Sequence, residues 1–412
     1  MPSLFHLPYI YPLKLTIALG LYARHIEYHL KNAVLTELKL IAIIICLFIF
    51  AEVFVYWQIL FRYKIILTEQ FMQKSLKILV IMTKKIGDTL LCTPLLNELR
   101  NQYPQAQIDM LAKNPAAQIL KRNPDISRLH IINKTLFPKL IKEIRRQKYQ
   151  YIIDLYPSET TALISALSGT PNRIRGYFLK KRLYHYIYNI RPDYYAIKEQ
   201  YTPNRHICLL EGILFKDIKS FPPLKLILPP NIEEIKNTFF RKYSIRPQDK
   251  LIAFIPQGSH PLKMWPPHKW VALANLTNRQ YKNKVKIFLF TDKKGKKFSD
   301  ALSAIGADNI FTPECKNLEI LSSFISFMDI AVTVCTGTKH IAIALNIPTI
   351  TLQTITNPFA WHPLGNPKHT LVSAPSLKCL YCDKTLCNPD CAPCIKNLTP
   401  EIVFNQLIQT LK

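Results

Sequence analysis

One segment limits the fold of this chain more than any other. Residues 76–100 read LKILVIMTKKIGDTLLCTPLLNELR, and the apolar run at 76–82 is typical of a buried parallel strand. After a short polar turn, four leucines follow at helical spacing: Leu91, Leu95, Leu96 and Leu99. A strand, a turn and a helix in this order indicate an open α/β sheet, in which ligands bind at the carboxyl ends of the strands.

The rest of the chain repeats this alternation. In the first half we predict strands at residues 77–82, 108–112, 129–132, 151–155 and 173–177, with helices such as 116–122 and 136–147 between them. In the second half we predict strands at residues 251–255, 285–290, 330–334, 349–352 and 370–372. Such alternation predicts parallel sheets with helices on both faces.

A proline-rich stretch divides the two halves. Pro222, Pro223, Pro229 and Pro230 bracket a short predicted strand at 224–228, as expected of a linker. We therefore predict an α/β protein with two Rossmann-like doubly wound domains that face a cleft. The predicted parts are an N-terminal extension (1–70), a first domain (76–228), a second domain (229–399) and a C-terminal helix (400–412) that could cross back to the first domain.

The charge of the chain favours anionic partners. Its 412 residues include 54 Lys and Arg against 27 Asp and Glu, a net charge of +27, which suits nucleic acid, phosphorylated ligands or an acidic membrane surface. The basic residues are scattered, so a lysine-rich background explains them equally well. No nucleic-acid motif accompanies them, and we predict no nucleic-acid partner.

An apolar segment precedes the first strand. Residues 40–60 read LIAIIICLFIFAEVFVYWQIL, which is long enough to span a bilayer. Glu52 near its centre favours the alternative, a helix that lies in the membrane surface. Positive residues flank both ends, so charge does not determine an orientation.

The turn after the first strand carries the first candidate catalytic residue. Asp88 follows Gly87 there, and its carboxylate could accept a proton from a substrate hydroxyl. A capping role at the start of the next helix explains the same residue equally well. Lys84 and Lys85 could bind an anionic group, or they could be exposed loop lysines.

Two motifs in the second half have features of phosphate-binding turns. In PQGSHPLKMWP, Gly258 and Ser259 would let backbone amides approach a phosphate, and Lys263 would add a point charge. An ordinary loop around a packed Trp265 is the alternative. In VCTGTKHIAIAL, a helix N-terminus would offer free amides to a diphosphate. The residues concerned are Thr336, Gly337 and Thr338, followed by His340, for which capping or packing is the alternative.

Five cysteines near the C-terminus have knuckle-like spacing. Four thiolates could hold a structural zinc ion, although the loop between the two CxxC pairs is shorter than in common zinc modules. Free thiols or disulfides are the alternatives. The five are Cys379, Cys382, Cys387, Cys391 and Cys394.

Together these pieces resemble glycosyltransferase family 9, the lipopolysaccharide heptosyltransferases. The similarity covers residues 76–412 and rests on the first segment, on YIIDLYPS followed by RIRGY, on PQGSHPLKMWPPHKW, on DIAVTVCTGTKHIAIALNIPTI and on CIKNLTPEIV. It implies a B-type glycosyltransferase fold, with the acceptor on the first half and a nucleotide-sugar donor on the second.

The resemblance also implies roles for individual residues. Asp88 falls on the general base of an inverting transfer, Lys263 on the donor-phosphate lysine, and Thr336 to His340 on the segment that holds the diphosphate without a metal. Lys84 and Lys85 would suit a phosphorylated or carboxylated acceptor. The predicted donor site consists of Gly258, Ser259, Lys263, Thr336, Gly337, Thr338 and His340.

The chain departs from the family pattern at two places. Cys335 stands where the family usually has Asp or Asn, and the ribose-binding region, TDKKGKK at 291–297, has Asp292 as its one acid. Both departures leave room for a donor sugar other than ADP-heptose.

The resemblance implies an inverting, metal-independent transferase without a cofactor. It would move a sugar, foremost a heptose from ADP-heptose, onto a lipopolysaccharide core or a similar glycolipid at the cytoplasmic face of the inner membrane. The apolar segment at 40–60 is not part of the family pattern, and we expect it to anchor the enzyme beside a lipid-linked acceptor. Two rivals remain open. One is a nucleotide-sugar epimerase or hydrolase of the same fold, and the other is a catalytically degenerate membrane scaffold.

Overall fold

The computed structural model describes most of the chain from residue 76 onward. The described ranges are 44–45, 47–56, 76–133, 137–176, 186–193, 200–218, 220–377 and 392–411, with the single residues Arg24, Gln58, Ile197, Cys382 and Cys387. Residues 1–74 and residues 75–412 pack as two separate units. The predicted domain boundary at residues 228–229 lies within the second unit and stays a prediction.

The described part of residues 1–74 is helical. Residues 44–45 and 47–56 lie in helix, and apolar side chains such as Phe48 are exposed there. Over the part of the chain that the structure describes, no helix has both the length and the hydropathy that a bilayer crossing requires. The predicted helix at 40–60 is therefore described only in part, and a membrane span is not observed in that part.

The first half of residues 75–412 is built on a five-stranded parallel sheet in the order β3-β2-β1-β4-β5. Its strands are β1 (Lys77–Met82), β2 (Gln107–Ala112), β3 (Arg128–Ile131), β4 (Tyr151–Asp154) and β5 (Asn172–Arg175). Its helices are α1 (Ile86–Leu91), α2 (Thr93–Gln102), α3 (Phe137–Gln147), α4 (Glu159–Leu167) and α5 (Thr202–Cys208), with a 3₁₀ turn at Ala116–Leu120.

The second half is built on a six-stranded parallel sheet in the order β11-β10-β9-β6-β7-β8. Its strands are β6 (Lys250–Ile255), β7 (Val285–Leu289), β8 (Ile310–Phe311), β9 (Ile330–Val334), β10 (Thr349–Leu352) and β11 (His369–Val372). Its helices are α6 (Ile232–Lys242), α7 (Pro267–Tyr281), α8 (Lys296–Ser303), α9 (Leu318–Ser326), α10 (Gly337–Ala344), α11 (Pro358–Trp361), α12 (Pro393–Lys396) and α13 (Pro400–Thr410). Two parallel sheets with interleaved helices confirm the predicted α/β class.

Strand β1 shows why a parallel sheet forms here. Its side chains alternate between two cores, with Ile78 and Val80 on the face covered by α2, and Leu79 and Ile81 on the face covered by α3. All four are fully buried. Because both faces are covered, the strand is a continuous apolar run rather than an alternating one. Burying each such side chain contributes roughly 2 kcal/mol.

Two predictions about elements were wrong, and one strand was not predicted. Residues 224–228 form no strand, because the extended chain packs on the first half: the Lys225 N–H donates to Thr93 Oγ1 at 2.9 Å. The two-residue strand β8 was not predicted, since its run is too short to show periodicity. The last helix does not cross back; Val403 and Leu407 are buried in the core of the second sheet.

Candidate active site

The turn between β1 and α1 lies directly against the first turn of α10. A Cβ atom placed on Gly87 would lie 3.0 Å from His340 Cδ2 and 3.3 Å from Gly337 Cα, and one placed on Gly337 would lie 3.2 Å from the Gly87 nitrogen. Two helix starts from opposite halves can meet this closely only because neither carries a side chain at the contact. The fold thus brings the Gly87–Asp88 turn together with the Thr336–Gly337 turn, two features that the sequence singles out separately.

Asp88 lies in the first turn of α1. Its Oδ2 accepts a hydrogen bond from the Lys85 N–H at 3.2 Å, so it caps the helix, as the alternative reading of the sequence allowed. Burial raises the pKa of the carboxyl above its usual range, against the lowering by that bond and by the charges of Lys84 and Lys85. A carboxylate with a raised pKa is a stronger base, so the capping role and a proton-accepting role are compatible.

The start of α10 is a helix N-terminus available to an anion. Thr336 is the N-cap residue, its side chain makes no capping hydrogen bond, and no acid occupies the first turn. Thr336, Gly337 and Thr338 are all partly exposed. Free N–H groups and the helix dipole there favour a negatively charged group such as a phosphate.

His340 is a packed residue. Its ring lies against Gly87 and is 3% exposed. Burial, followed by the charges of Lys339 and His362, holds its pKa well below the usual range, so the ring is neutral at physiological pH. A neutral imidazole can donate one hydrogen bond to a ligand but contributes no charge to the site.

The loop after β6 folds back on itself. A Cβ atom on Gly258 would lie 2.9 Å from Lys263 Cβ, so the glycine lets the chain return and positions the lysine beside it. His260 Nδ1 accepts from the Leu262 N–H at 3.2 Å, which shapes the turn that ends at Lys263. Ser259 is exposed within this loop. Trp265 is fully buried and donates to the Leu398 carbonyl at 3.0 Å, as the alternative reading of this motif predicted.

Sequence reasoning missed Lys339. This lysine is 1% exposed, and its Nζ donates to the Trp361 carbonyl at 2.7 Å and lies 3.8 Å from Cys335 Sγ. Burial lowers its pKa, and the charge of Lys263 lowers it further. Cys335 opposes this lowering.

The first half also carries polar groups near this turn that the sequence did not single out. Lys84 Nζ lies 6.0 Å from the Tyr156 ring centroid. Asp154, at the end of β4, is fully buried and accepts from the Tyr188 hydroxyl at 2.6 Å. Burial raises the pKa of Asp154 to about 6, although Tyr188 and Lys84 oppose the shift. Lys84 and Lys85 themselves are exposed, as their position in a loop suggested.

The loop after β7 is tied to the loop after β6. Gln257 accepts from Thr291 Oγ1 at 2.8 Å and donates to Asp292 Oδ1 at 2.6 Å. Asp292 also accepts from the Lys294 N–H, so its carboxylate is already engaged in shaping the turn. The one acid of this region therefore has less acceptor capacity left for a ribose.

The cysteine cluster lies largely outside the described residues. Cys379 and Cys391 are outside them, whereas Cys382, Cys387 and Cys394 lie within the described residues. Within the described ranges, no group of three or more His, Cys, Asp or Glu side chains is placed to hold a metal ion. The zinc hypothesis for the whole cluster stays a prediction.

The chain is similar to known proteins of one family. The chain matches the family described as "Glycosyltransferase family 9 (heptosyltransferase)" over residues 137–392. It is 25% identical to lipopolysaccharide heptosyltransferase 1 of Campylobacter coli, an alignment that covers 67% of this chain and 83% of that protein.

Solved structures share the fold. The structure of Escherichia coli ADP-heptose lipopolysaccharide heptosyltransferase II superposes with a TM-score of 0.66 at 22% identity, covering 82% of this chain and 98% of that one. A glycosyltransferase family 9 structure from Veillonella parvula superposes with a TM-score of 0.71 at 18% identity, with the same two coverages.

Proposed function

Because this chain belongs to glycosyltransferase family 9, we propose that it transfers a heptose from ADP-heptose onto the core of lipopolysaccharide or a similar glycolipid. The chain is a glycosyltransferase. The donor and the acceptor are proposed by analogy with relatives whose names include them, the Campylobacter coli heptosyltransferase 1 and the Escherichia coli ADP-heptose heptosyltransferase II.

The contact between Gly87 and Gly337 supports this reaction most directly. It holds a carboxylate from the first half and an open helix N-terminus from the second half at one junction. An inverting transfer needs a base on the acceptor and a cationic or dipolar group on the leaving diphosphate. Asp88 and the start of α10 are suited to these two roles.

In the proposed step Asp88 accepts the proton of the acceptor hydroxyl. The acceptor oxygen forms a bond to the anomeric carbon of the heptose, and the bond from that carbon to the diphosphate oxygen breaks, so the anomeric configuration inverts. The nucleoside diphosphate leaves with the bonding electron pair. The N–H groups of Gly337 and Thr338 and the charge of Lys263 would stabilise the negative charge that develops on it.

The remaining donor residues have positioning roles in this proposal. Gly258 lets the loop approach the diphosphate, Ser259 offers a hydroxyl, and His340 offers one hydrogen bond as a neutral ring. Lys84 and Lys85 would contact an anionic group of the acceptor. No metal or cofactor is required, since the lysines and the helix N-terminus supply the positive charge.

A lipid-linked acceptor would place the enzyme at the cytoplasmic face of the inner membrane. The apolar composition of residues 40–60 supports a contact with that membrane. Anchoring through this segment is part of the proposal.

Donor binding is the first test. We expect ADP-heptose to raise the melting temperature of the full-length protein, because a ligand that binds the native state stabilises it. UDP-sugars and GDP-sugars should give smaller shifts. Lys263→Ala should abolish the ADP-heptose shift, whereas Lys242→Ala, which removes an exposed lysine on α6, should leave it unchanged.

Release of ADP from ADP-heptose is then measured with and without a heptose-deficient lipopolysaccharide as the acceptor. Release of ADP that requires the acceptor would support the transferase. Equal release of free sugar without acceptor would point to a hydrolase or epimerase. The absence of any donor shift would point to a degenerate site.

A further inference from the structure

Helix α3 carries an unusually basic exposed face. Six of its positions are exposed, and four of them hold cations. The six are Pro138, Lys139, Lys142, Glu143, Arg145 and Arg146. The single acid, Glu143, lies 3.3 Å from Nδ1 of the buried His130, so it is partly engaged with the protein itself.

The other face of α3 fixes this orientation. Leu140 and Ile144, one turn apart, are buried with Leu79 and Ile81 in the core beneath the first sheet. The helix cannot rotate without exposing these side chains, so the basic residues face solvent permanently. An open depression on this helix is lined by Pro138, Ile141, Lys142, Arg145 and Arg146.

Exposed leucines lie on the neighbouring helix. Leu163 is 46% exposed and Leu167 is 41% exposed, one turn apart on α4. Helices α3 and α4 pack side by side on the same face of the first sheet, where Ile164 of α4 shares the core with Leu140. The two helices therefore present cations and apolar side chains on one surface, which we name the α3–α4 face.

From this combination we infer that the α3–α4 face docks on the anionic surface of a lipid bilayer. Phospholipid headgroups of negative charge would neutralise the cations, and the leucines would enter the boundary between headgroups and acyl chains. A nucleic acid would satisfy the cations but would leave Leu163 and Leu167 in water. An anionic bilayer matches both parts of the face.

Docking here would also orient the enzyme. Helix α3 follows β3, so it begins at the carboxyl edge of the parallel sheet, the edge at which the turn with Asp88 lies. The N-terminal ends of both helices lie at that edge, so a membrane against the α3–α4 face would approach the edge of the sheet that carries Asp88. The inference extends the proposed function, which needs a lipid-linked acceptor, but its test does not depend on transfer.

The test measures binding of the full chain to vesicles by flotation. Vesicles of phosphatidylcholine alone are compared with vesicles that contain phosphatidylglycerol, at low and at high salt. The readout is the increase in binding that phosphatidylglycerol causes. Binding through other apolar parts of the chain occurs with both kinds of vesicle, so it does not contribute to this difference. We expect this increase to fall roughly tenfold or more in the variant K139Q/K142Q/R145Q/R146Q, and to vanish at high salt.

A matched control separates the face from the total charge. The variant R241Q/K242Q/K282Q/K284Q removes four exposed cations from the second half and should keep the increase. Leu163→Ser with Leu167→Ser should weaken binding without changing its salt dependence. This variant and the salt series on the unmodified chain keep the test decisive if the α3 variant folds poorly.

Three results would overturn the inference. The first is an α3 variant that keeps the full increase, and the second is a control variant that loses as much as the α3 variant. The third is salt-sensitive retention of DNA that disappears in the α3 variant while vesicle binding is unchanged, which would assign the face to nucleic acid.

Discussion

At the scale of single residues, burial decides the protonation of the site more than neighbouring charges do. Asp88 has two lysines beside it and a backbone N–H bonded to it, each of which favours the carboxylate, yet burial outweighs them and raises its pKa. Burial lowers the pKa of Lys339, in contrast, and its Nζ donates a hydrogen bond to the Trp361 carbonyl. The site combines a strengthened base with positive charge, as a transfer from a diphosphate donor requires.

The pH dependence of transfer tests the role of Asp88. Only the ionised carboxylate accepts a proton, so kcat/KM should fall as pH drops through its pKa, which lies above that of an ordinary aspartate. Lys84→Gln removes a charge that lowers this pKa, and should move the acid limb of the profile to higher pH. Asp88→Asn should lower kcat by roughly 100-fold or more and abolish the limb.

The matched control is Asp300→Asn, at an exposed position of α8. It should leave both the rate and the acid limb unchanged. If the Asp88→Asn variant folds normally and retains most of its activity, Asp88 is a helix-capping residue and the proton acceptor must be sought elsewhere.

At the scale of elements, the site depends on how closely α1 approaches α10. Alanine at Gly87 or Gly337 would gain up to about 1 kcal/mol of helix propensity. The new Cβ would, however, lie within about 3.0–3.3 Å of the opposing helix start, and overpacking costs roughly 1–3 kcal/mol. We expect overpacking to dominate, so that each substitution destabilises the protein and lowers transfer.

A double-mutant cycle checks this contact. Because one alanine already separates the two helices, Gly87→Ala with Gly337→Ala should cost less than the sum of the single changes, with a coupling of about 0.5–3 kcal/mol in denaturant unfolding. Thr238→Ala, at an exposed position of α6, measures a gain in helix propensity without the overpacking against an opposing helix. Additive or stabilising single changes would show that the contact tolerates a side chain.

The elements also show what the sequence could predict. Strands β1, β9 and β10 were predicted to the residue, because an apolar run bounded by polar or turn residues marks both ends. The segment 224–228 reads equally apolar, but its partner is Thr93, 132 positions away, and no local pattern reveals that. Long-range partners likewise hid Lys339, since a lysine in a first helical turn is expected in solvent until a carbonyl from another helix is placed beside it.

In the candidate site, too, local features were predictable from the sequence and long-range contacts were not. The sequence identified the turns that carry Asp88, Lys263 and Thr336, because strand ends with Gly and polar residues mark ligand-binding edges. It could not predict that Gly87 touches Gly337, since the contact joins two separate sheets. The roles of the Asp88, Lys263 and Thr336 side chains are proposals.

At the scale of the whole molecule, buried histidines should make the fold sensitive to acid. Burial lowers the pKa of His206, His362 and His369 to about 4, and it holds that of His340 well below the usual range. In the unfolded chain these side chains titrate near 6.5. Between these values the unfolded state binds more protons than the folded state, so the free energy of unfolding falls as pH falls.

Two carboxyls work in the opposite direction. Burial raises the pKa of Asp154 to about 6 and also raises the pKa of Asp88. Each keeps its proton in the folded state where the unfolded chain would lose it, so its contribution is full at low pH and is lost as pH rises, for Asp154 between about 4 and 6. Four histidines outnumber these two carboxyls, so the net stability should still decline below about pH 6.5.

Urea unfolding from pH 7.5 down to pH 5 measures this decline. Each histidine that stays neutral in the folded state contributes up to about 1.4 kcal/mol per pH unit. His206→Phe keeps a flat ring against Tyr156, whose ring centroid lies 5.7 Å away, but removes one titrating group, so it should make the decline shallower. His268→Gln, at an exposed position of α7, should leave the decline unchanged. A profile that is flat between pH 7.5 and pH 5, or equally steep in both variants, would mean that these histidines bind protons in the folded state and that their burial does not control acid stability.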